Sequence, residues 1–436
     1  MGKKFVIGAG ALLAVLFFFL YEKEENGRNG YTLLIQEDEK GKESGIQIED
    51  FGVVGDGKTD VTEKFQAAME EAAKQNKMLI VPEGIYLVSP GIYRDGASTD
   101  WWCLAVPDGA KIYFETGAVI KLVDDAPEWT RILVISDVSN VNIFGHVEVD
   151  GRAQTVSKGN EHMAGIFIYD AKDVYLQSAY VHDTFGDNLF IGGTEEDFSE
   201  NVTIGFFHGM TAGRKNLVIH YVDNLHVGTA ILDNSLGGAD NNWRGSNSLD
   251  LEPDDYRGTR NFYQKIDYLS TYGTGNDFTV GTKREYASKW VLEIGSFHAK
   301  LMAGAEHGLF SYASTVKIGQ LLVQSTPENN DTGIYLSYGA SWEIGDAYFI
   351  DGAGYAISAK AEGGEKPVLH LGKVLINRPE GKGIELRGAD AEIEYLEGNT
   401  VKDEVLQVFA TMDQSISIGQ FVARNSGEDR IVHIAD

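Results

Sequence analysis

The sequence predicts an all-β protein: a right-handed, single-stranded parallel β-helix with one capping α-helix near its N-terminus. Two observations support this fold class. The 436 residues include 51 Gly, 20 Tyr and 21 Phe but only 8 Pro, a composition typical of strands joined by tight turns. Short apolar segments also recur along the chain with Gly, Asn and Asp between them, as in a solenoid whose rungs pack only on their neighbours.

The recurrence is regular enough to align successive rungs. Side chains of neighbouring strand residues point to opposite faces, so the alignment also predicts which residues face inward and which face outward. The aligned strand centres, mostly about 22 to 32 residues apart, are Ile166, Leu189, Leu217, Leu249, Phe278, Leu309, Ile334 and Ile384.

The N-terminal segment reads as an export signal. Two lysines precede an uncharged run at residues 5–21, and a positive flank before an apolar stretch directs the following domain out of the cytoplasm. The small residues of a cleavage site are missing, so residues 1–21 are predicted to be an uncleaved transmembrane anchor; cleavage would instead give a secreted protein. Residues 22–45 are predicted to be a polar linker, and residues 46–436 the β-helix domain at the cell surface.

Residues 46–90 are predicted to cap the first rung. Asp60, with Glu63 three residues later, predicts the start of a helix. The first rung of a parallel solenoid exposes an unpaired edge, which an amphipathic helix would cover. The apolar stripe of this helix is formed by Phe65, Ala68, Met69, Ala72 and Ala73.

The segment from Asp50 to Val88, with DFGVVGDGKTD, the helix and IVPEGIYLV, resembles the N-terminal part of the pectate-lyase-like, rhamnogalacturonase and polygalacturonase superfamily of β-helices, which also includes phage tailspikes. The motif LDLEPDD at residues 249–255 is similar to an Ile-Asp-Ile-Glu-Pro pattern of the same superfamily. This resemblance implies a polysaccharide as the partner and a monomer or a homotrimer as the assembly. The chain departs from the hydrolases of the family at Gly186-Asp187-Asn188, where they often have Gly-Asp-Asp, and it lacks the Gly-His-Gly and Arg-Ile-Lys motifs of polygalacturonases.

The charge and the cysteine content limit the partners. A formal net charge of −28 argues against nucleic acid, because binding it requires Lys and Arg to displace phosphate counterions. The single cysteine, Cys103, rules out a disulfide within the chain and is predicted to be a buried apolar residue.

The outer face of four successive rungs is predicted to carry the functional site. With Leu189, Leu217, Leu249 and Phe278 facing inward, the polar neighbours of these residues face outward, beside a Gly- and Asn-rich loop with a tryptophan that would stack on a sugar ring. The candidate catalytic carboxylates are Asp250, Glu252, Asp277 and Asp187. The candidate substrate-binding residues are Asn188, Arg214, Lys215, Asn216, His220, Trp243 and Asn247.

This set of residues is compatible with three functions. Paired carboxyls suit a glycoside hydrolase, since hydrolysis needs two carboxyls about 5 to 9.5 Å apart. Arg214, Lys215 and His220 would suit a uronate lyase or epimerase, which needs a base and a cation. A non-catalytic glycan-binding or surface-display protein is the third function, in which the acids are simply solvated. None of these functions is expected to require a cofactor. A calcium ion could nevertheless bind through the carboxylate oxygens of Glu252, Asp254 and Asp255.

Overall fold

The computed structural model shows a parallel β-helix, which confirms the predicted fold class. Its residues from Gly45 onward form one compact unit. The structure describes residues 42, 44–93, 101–234, 247–252, 260–273, 278–280, 289–301, 307–312, 314–327, 329–330, 332–378, 380–410, 413–424 and 428–435. In these ranges the chain alternates between two long sheets.

Sheet 1 contains eighteen of the described strands, and every strand pair within it is parallel. Its strands are β1 (Ile46–Gln47), β2 (Asp56–Asp60), β3 (Met78–Val81), β4 (Gly84–Val88), β7 (Lys111–Phe114), β8 (Ala118–Leu122), β10 (Ser139–Gly145), β11 (Val147–Asp150), β13 (Lys172–His182), β15 (Ser199–Met210), β17 (Val222–Asn234), β19 (Phe262–Gly273), β21 (Trp290–Leu301), β23 (Thr315–Gln324), β25 (Ser341–Ile350), β27 (Val368–Asn377), β29 (Asp390–Asn399) and β31 (Ile416–Arg424).

Sheet 2 contains fourteen of the described strands, which are parallel except for the first pair. Its strands are β5 (Ile92–Tyr93), β6 (Trp101–Ala105), β9 (Thr130–Ser136), β12 (Ala164–Tyr169), β14 (Asp187–Gly192), β16 (Lys215–Ile219), β18 (Asn247–Leu251), β20 (Phe278–Val280), β22 (His307–Tyr312), β24 (Thr332–Ser337), β26 (Tyr355–Lys360), β28 (Lys382–Arg387), β30 (Glu404–Ala410) and β32 (Glu428–Ala435). The 3-10 turns Ile48–Phe51 and Ala153–Thr155 lie between described strands.

The register of sheet 2 confirms the predicted alignment of the rungs. Leu189 pairs with Leu217, Leu217 with Leu249, and Leu249 with Phe278. The long interval between Ile334 and Ile384 holds one more rung, because Ile357 pairs with both of them. The aligned leucines and isoleucines are buried in the core between the sheets.

Helix α1 (Thr62–Lys74) is the capping helix. Its buried residues are Phe65, Ala68, Met69, Ala72 and Thr62, and Ala73 is partly buried against the core, so the predicted stripe is confirmed. The helix begins one residue later than a cap at Asp60 implies. The Asp60 carboxylate nevertheless accepts hydrogen bonds from the Thr62 N–H (3.0 Å) and hydroxyl (2.6 Å), so it still satisfies the first turn.

Cys103 is fully buried, as predicted. Within the described ranges, no helix has both the length and the apolar character needed to cross a membrane. The predicted anchor at residues 1–21 and nearly all of the predicted linker lie outside those ranges, and both stay predictions.

Candidate functional site

Five charged residues meet on the outer face of sheet 2. Asp187 begins β14, Lys215 begins β16 with Arg214 just before it, and Asp250 lies in β18 with Glu252 just after it. These strands are consecutive neighbours in the sheet, so residues far apart in sequence lie about one strand spacing, roughly 4.8 Å, from the next rung. We call Asp187, Arg214, Lys215, Asp250 and Glu252 the charged cluster.

Asp187 is held by a tight turn. Its N–H donates to the Met163 carbonyl (2.8 Å), and the Gly186 carbonyl accepts from the Arg214 N–H (2.9 Å). A Cβ on Gly186 would lie 2.3 Å from the Met163 carbonyl oxygen, a distance that no side chain tolerates. Glycine is therefore required immediately before Asp187, and the turn fixes the carboxyl at the start of the strand.

Arg214 joins two of the carboxylates. Its Nη1 lies 3.1 Å from Asp187 Oδ2, and its Nη2 donates to both oxygens of Glu252 at 2.7 and 2.8 Å. Its Nε also lies 3.8 Å from Glu161. Charge-assisted contacts of this kind hold a guanidinium in one orientation.

Lys215 and Glu252 both contact Asp250. The Lys215 ammonium lies 2.6 Å from Asp250 Oδ2, and the carboxyl of Asp250 hydrogen-bonds to that of Glu252. That hydrogen bond requires a proton on one of the two carboxyls, so the pair shares a proton below the Asp250 pKa, and Lys215 and Arg214 offset the repulsion once both are ionised. Glu252 thus links the Asp250 pair to Arg214.

The three carboxyls have well-separated pKa values. Burial raises the pKa of Asp187 to about 8, against the opposing charge of Arg214. Burial also raises the pKa of Asp250 to about 6, although Lys215 opposes the shift. Burial acts in the same direction on Glu252, but Arg214 and Lys215 outweigh it and hold the Glu252 pKa below its ordinary value. At neutral pH Asp187 holds a proton, while Asp250 and Glu252 are mainly ionised.

One oxygen of Asp187 remains without a partner in the described part of the chain. Oδ1 is buried and has no hydrogen bond. A buried, unsatisfied polar atom is costly, and in a native structure it calls for a specific explanation, such as a catalytic role or a bound water. Oδ1 is therefore the Asp187 oxygen whose hydrogen-bonding capacity the described residues leave unused.

Asn188 and Asn216 do not face outward, which corrects the prediction. Both are fully buried, and Asn188 Nδ2 donates to the Met210 carbonyl (3.0 Å) and to Asn216 Oδ1 (2.6 Å). The next residue, Leu189, is buried too, so strict alternation fails where the chain enters the strand. Glycine at position 209 leaves space for the Asn216 side chain, because a Cβ on Gly209 would lie only 2.9 Å from Asn216 Oδ1.

Of the other predicted site residues, the structure describes His220 and Asn247. His220 lies in an aromatic contact with Tyr221 and near Phe190, at centroid distances of 4.2 and 5.9 Å. Asn247 begins β18, in register with Lys215. Asp277, Trp243, Asp254 and Asp255 lie outside the described residues, so their roles remain predictions.

Glu161 and His162 were missed by the sequence reasoning. They lie in the loop before β12, and Glu161 reaches Arg214 while His162 stacks on Trp129 with ring centroids 4.6 Å apart. The loop has no periodic pattern, so alignment of the strands provides no signal for it. The only available hint was composition, since KGNEHMAG places charged residues one rung before Asp187.

A separate group of ionisable residues lies at the end of β13. Ligand atoms of Asp150, His182 and Asp183 fall within 4.8 Å of one another, a spacing that a metal ion would fit. Burial acts to lower the His182 pKa, but hydrogen bonds to Asp183 and Glu148 outweigh it and raise it to about 9. In this structure both ring nitrogens of His182 contact carboxylates: Nδ1 lies 2.8 Å from Asp183 Oδ2 and Nε2 lies 3.3 Å from Glu148 Oε1, as expected of a protonated imidazole, which donates from both nitrogens.

Solved structures with the same fold are known. The A-module of the mannuronan C-5 epimerase AlgE6 from Azotobacter vinelandii is 15% identical with a TM-score of 0.60, and the match covers 89% of this chain and 99% of the module. The N-terminal fragment of bacteriophage phi29 gene product 12 is 16% identical (TM-score 0.57; 93% and 74% covered). PfbA, a surface adhesin of Streptococcus pneumoniae, is 12% identical (TM-score 0.52; 88% and 91% covered).

These likenesses establish the fold and not the activity. None of the curated proteins matches the sequence. Residues 45–235, however, match the model of the rhamnogalacturonase A/epimerase, pectate lyase-like family. That match includes the segment from Asp50 to Val88, Asp187 and the Arg214-Lys215 pair. The resemblance that the sequence indicated is thus confirmed: the described chain has the parallel β-helix fold, and residues 45–235 match the rhamnogalacturonase A/epimerase, pectate lyase-like family model.

Proposed function

We propose that this protein is a glycoside hydrolase that cleaves a polysaccharide outside the cytoplasm. Asp187 is the general acid and Asp250 the general base. The observation that carries the proposal is the separation of the two pKa values, about 8 for Asp187 and about 6 for Asp250, within one cluster. An acid and a base whose environments push their pKa values apart in this order are both in their active forms near pH 7.

The reaction follows from these roles. Asp187 gives its proton to the glycosidic oxygen as the bond from that oxygen to the anomeric carbon breaks. Asp250 takes a proton from the water whose oxygen bonds to the same carbon. Glu252 stays ionised beside Arg214 and keeps a negative charge near the oxocarbenium-like transition state, which that charge stabilises.

A uronate lyase or epimerase is the second candidate, and one observation favours it. Arg214 and Lys215 are both mostly buried, with side chains 13% and 11% exposed, next to the carboxylates. Two cations at the reacting centre would bind a uronate carboxylate and stabilise the enolate formed when a proton is removed. The name of the matching family model, rhamnogalacturonase A/epimerase, pectate lyase-like, includes an epimerase and a lyase.

A product assay distinguishes the candidates. The protein is incubated with a panel of polysaccharides, and new reducing ends and unsaturated uronates are measured. Reducing ends without unsaturation support hydrolysis, and unsaturation supports a lyase. Epimerisation changes the sugar composition without cleavage, and binding without any product supports a non-catalytic glycan-binding protein.

Substitutions test the roles of the residues. Asp187→Asn and Asp250→Asn should each lower the rate by more than about a hundredfold, the usual contribution of a general acid or base. Glu343→Gln, which removes an exposed carboxylate on sheet 1, is the matched control and should leave the rate unchanged. Full activity in either cluster variant contradicts the assignment.

Location, assembly and cofactor use complete the proposal. We place the protein at the cell surface, anchored through residues 1–21, as a monomer or a homotrimer. Membrane fractionation of cells and light scattering of the purified chain test these two points. No cofactor takes part in the acid–base steps, so a chelator should leave the rate of reducing-end release unchanged; a loss restored by calcium would add that ion to the site.

A further inference from the structure

A surface pocket of about 410 Å³ lies at the N-terminal end of sheet 2. Its volume falls within the roughly 300–1,000 Å³ typical of small-ligand sites. Two tryptophans contribute to its wall, together with polar groups on neighbouring loops. The residues that line the pocket include Trp101, Trp129, Asp125, Glu128, Ser157 and Lys158.

Trp129 is held in an unusual backbone conformation. Its φ is +66°, a left-handed value that is rare for a bulky residue and that tends to occur at functional sites. The following residue, Thr130, is buried and donates from its hydroxyl to the Pro127 carbonyl (2.7 Å), and the Trp129 carbonyl accepts from the Trp101 N–H (3.3 Å). The fold thus holds the Trp129 side chain at the wall of the pocket in spite of its unfavourable φ.

The pocket is connected to the charged cluster by a short chain of contacts. The Trp129 ring stacks on His162 with an angle of 14° between the planes. The neighbouring Glu161 lies 3.8 Å from Arg214 Nε. Strand β9, which begins next to Trp129, lies four strand steps from β18, or roughly 19 Å at about 4.8 Å a step.

The chemistry of the pocket fits an uncharged sugar. Aromatic walls pack against the C–H faces of a sugar ring, while carboxylates and hydroxyls bond to its hydroxyl groups. Asp125 and Glu128 oppose the single Lys158, so the charges of these three groups sum to one negative charge. This negative charge would repel a uronate. The Asp125 carboxylate is held in place by a 2.5 Å hydrogen bond that it accepts from the Ser157 hydroxyl.

We propose that this pocket is a distal saccharide-binding subsite that takes a neutral sugar unit of a chain whose scissile bond lies at the charged cluster. The inference rests on the proposed function for the position of the cleaved bond. It adds the substrate class: a glycan with neutral units, bound over several sugars towards the capped end of the β-helix.

Binding measurements on the full chain test the subsite. The panel consists of neutral oligosaccharides and uronate oligosaccharides of two to six units, and tryptophan fluorescence and calorimetry report the dissociation constant. Trp129→Gly removes the ring while tolerating the left-handed φ, so it should fold. Trp129→Phe retains an aromatic face, and Tyr263→Ala removes an exposed aromatic side chain on sheet 1 as the matched control.

The expected result is that the longer neutral oligosaccharides bind more tightly than the shorter ones. Trp129→Gly should weaken the binding of the longer ones by about tenfold or more, which corresponds to 1.4 kcal/mol. Trp129→Phe should recover part of the loss, and Tyr263→Ala should show none. Equal binding by Trp129→Gly and the unmodified chain, tighter binding of uronates than of neutral sugars, or no binding on the panel overturns the subsite.

The two proposals fail separately. Binding that depends on Trp129 without any cleavage product retains the subsite and rejects the hydrolase. Cleavage with binding that is indifferent to Trp129 retains the hydrolase and rejects the subsite.

Discussion

Single residues at the start of β14 show where alternation of side chains along a strand is a good guide and where it is not. Leu189, Leu217 and Leu249 form the predicted interior row. Asn188 breaks the pattern: strict alternation predicts that its side chain faces outward, but the side chain is buried. Its amide donates a hydrogen bond to a buried carbonyl, and this bond stabilises the amide in the interior. That carbonyl belongs to Met210, in the other sheet, and no feature of the local sequence reveals it.

Asn188→Ala tests this placement. The substitution would leave the Met210 carbonyl and the Asn216 amide without one partner each, and a buried group without a partner costs about 1–3 kcal/mol. Urea unfolding should therefore show a stability loss of about 2 kcal/mol or more. An unchanged urea midpoint in Asn188→Ala, together with weaker glycan binding, would contradict the buried placement and indicate that Asn188 faces the outer surface.

The pKa of Asp187 has a consequence for stability that needs no substrate. Its pKa is about 8 in the folded protein and about 3.9 in an unfolded chain. Between these values the folded state binds more protons, so the free energy of unfolding falls as pH rises, by at most about 1.4 kcal/mol per pH unit from this group. Asp187→Asn should flatten this part of the stability curve between about pH 4 and 8. The same slope in both proteins would mean that Asp187 ionises normally.

At the scale of elements, the capping helix was predictable because its stripe and its start signal both lie within a few consecutive residues. The charged cluster was predictable only in part. Aligning the rungs indicates that Asp250, Glu252, Arg214 and Lys215 lie near one another. It does not indicate that Arg214 bridges Asp187 and Glu252, since that contact depends on side-chain direction and on a turn fixed by Gly186.

Phe65→Ala tests the cap. Phe65 is fully buried and packs on Tyr86 and Phe114, with ring centroids 5.6 and 6.5 Å apart. Truncating a buried phenylalanine costs about 3–5 kcal/mol, and loosening α1 would uncover the edge of the first rung. We expect a lower unfolding midpoint and self-association on size exclusion. Glu63→Ala, at an exposed position of the same helix, should change stability by less than about 0.5 kcal/mol.

At the scale of the whole molecule, the net charge of −28 acts on any polyanionic substrate before contact is made. Screening by salt weakens repulsion between like charges. If a polyuronate is cleaved, kcat/KM should therefore rise with ionic strength, while kcat/KM on a neutral glycan of similar length should stay nearly constant. A fall with salt on a polyuronate would indicate attraction, with Arg214 and Lys215 controlling the encounter.

The acid–base assignment is the central claim, and the pH dependence of kcat/KM on a cleaved polysaccharide tests it most directly. The rate should rise as Asp250 loses its proton near pH 6 and fall as Asp187 loses its proton near pH 8. In Asp187→Asn the rate should drop by more than about a hundredfold and its fall near pH 8 should disappear. A profile with both limbs unchanged in Asp187→Asn and Asp250→Asn would contradict the assignment.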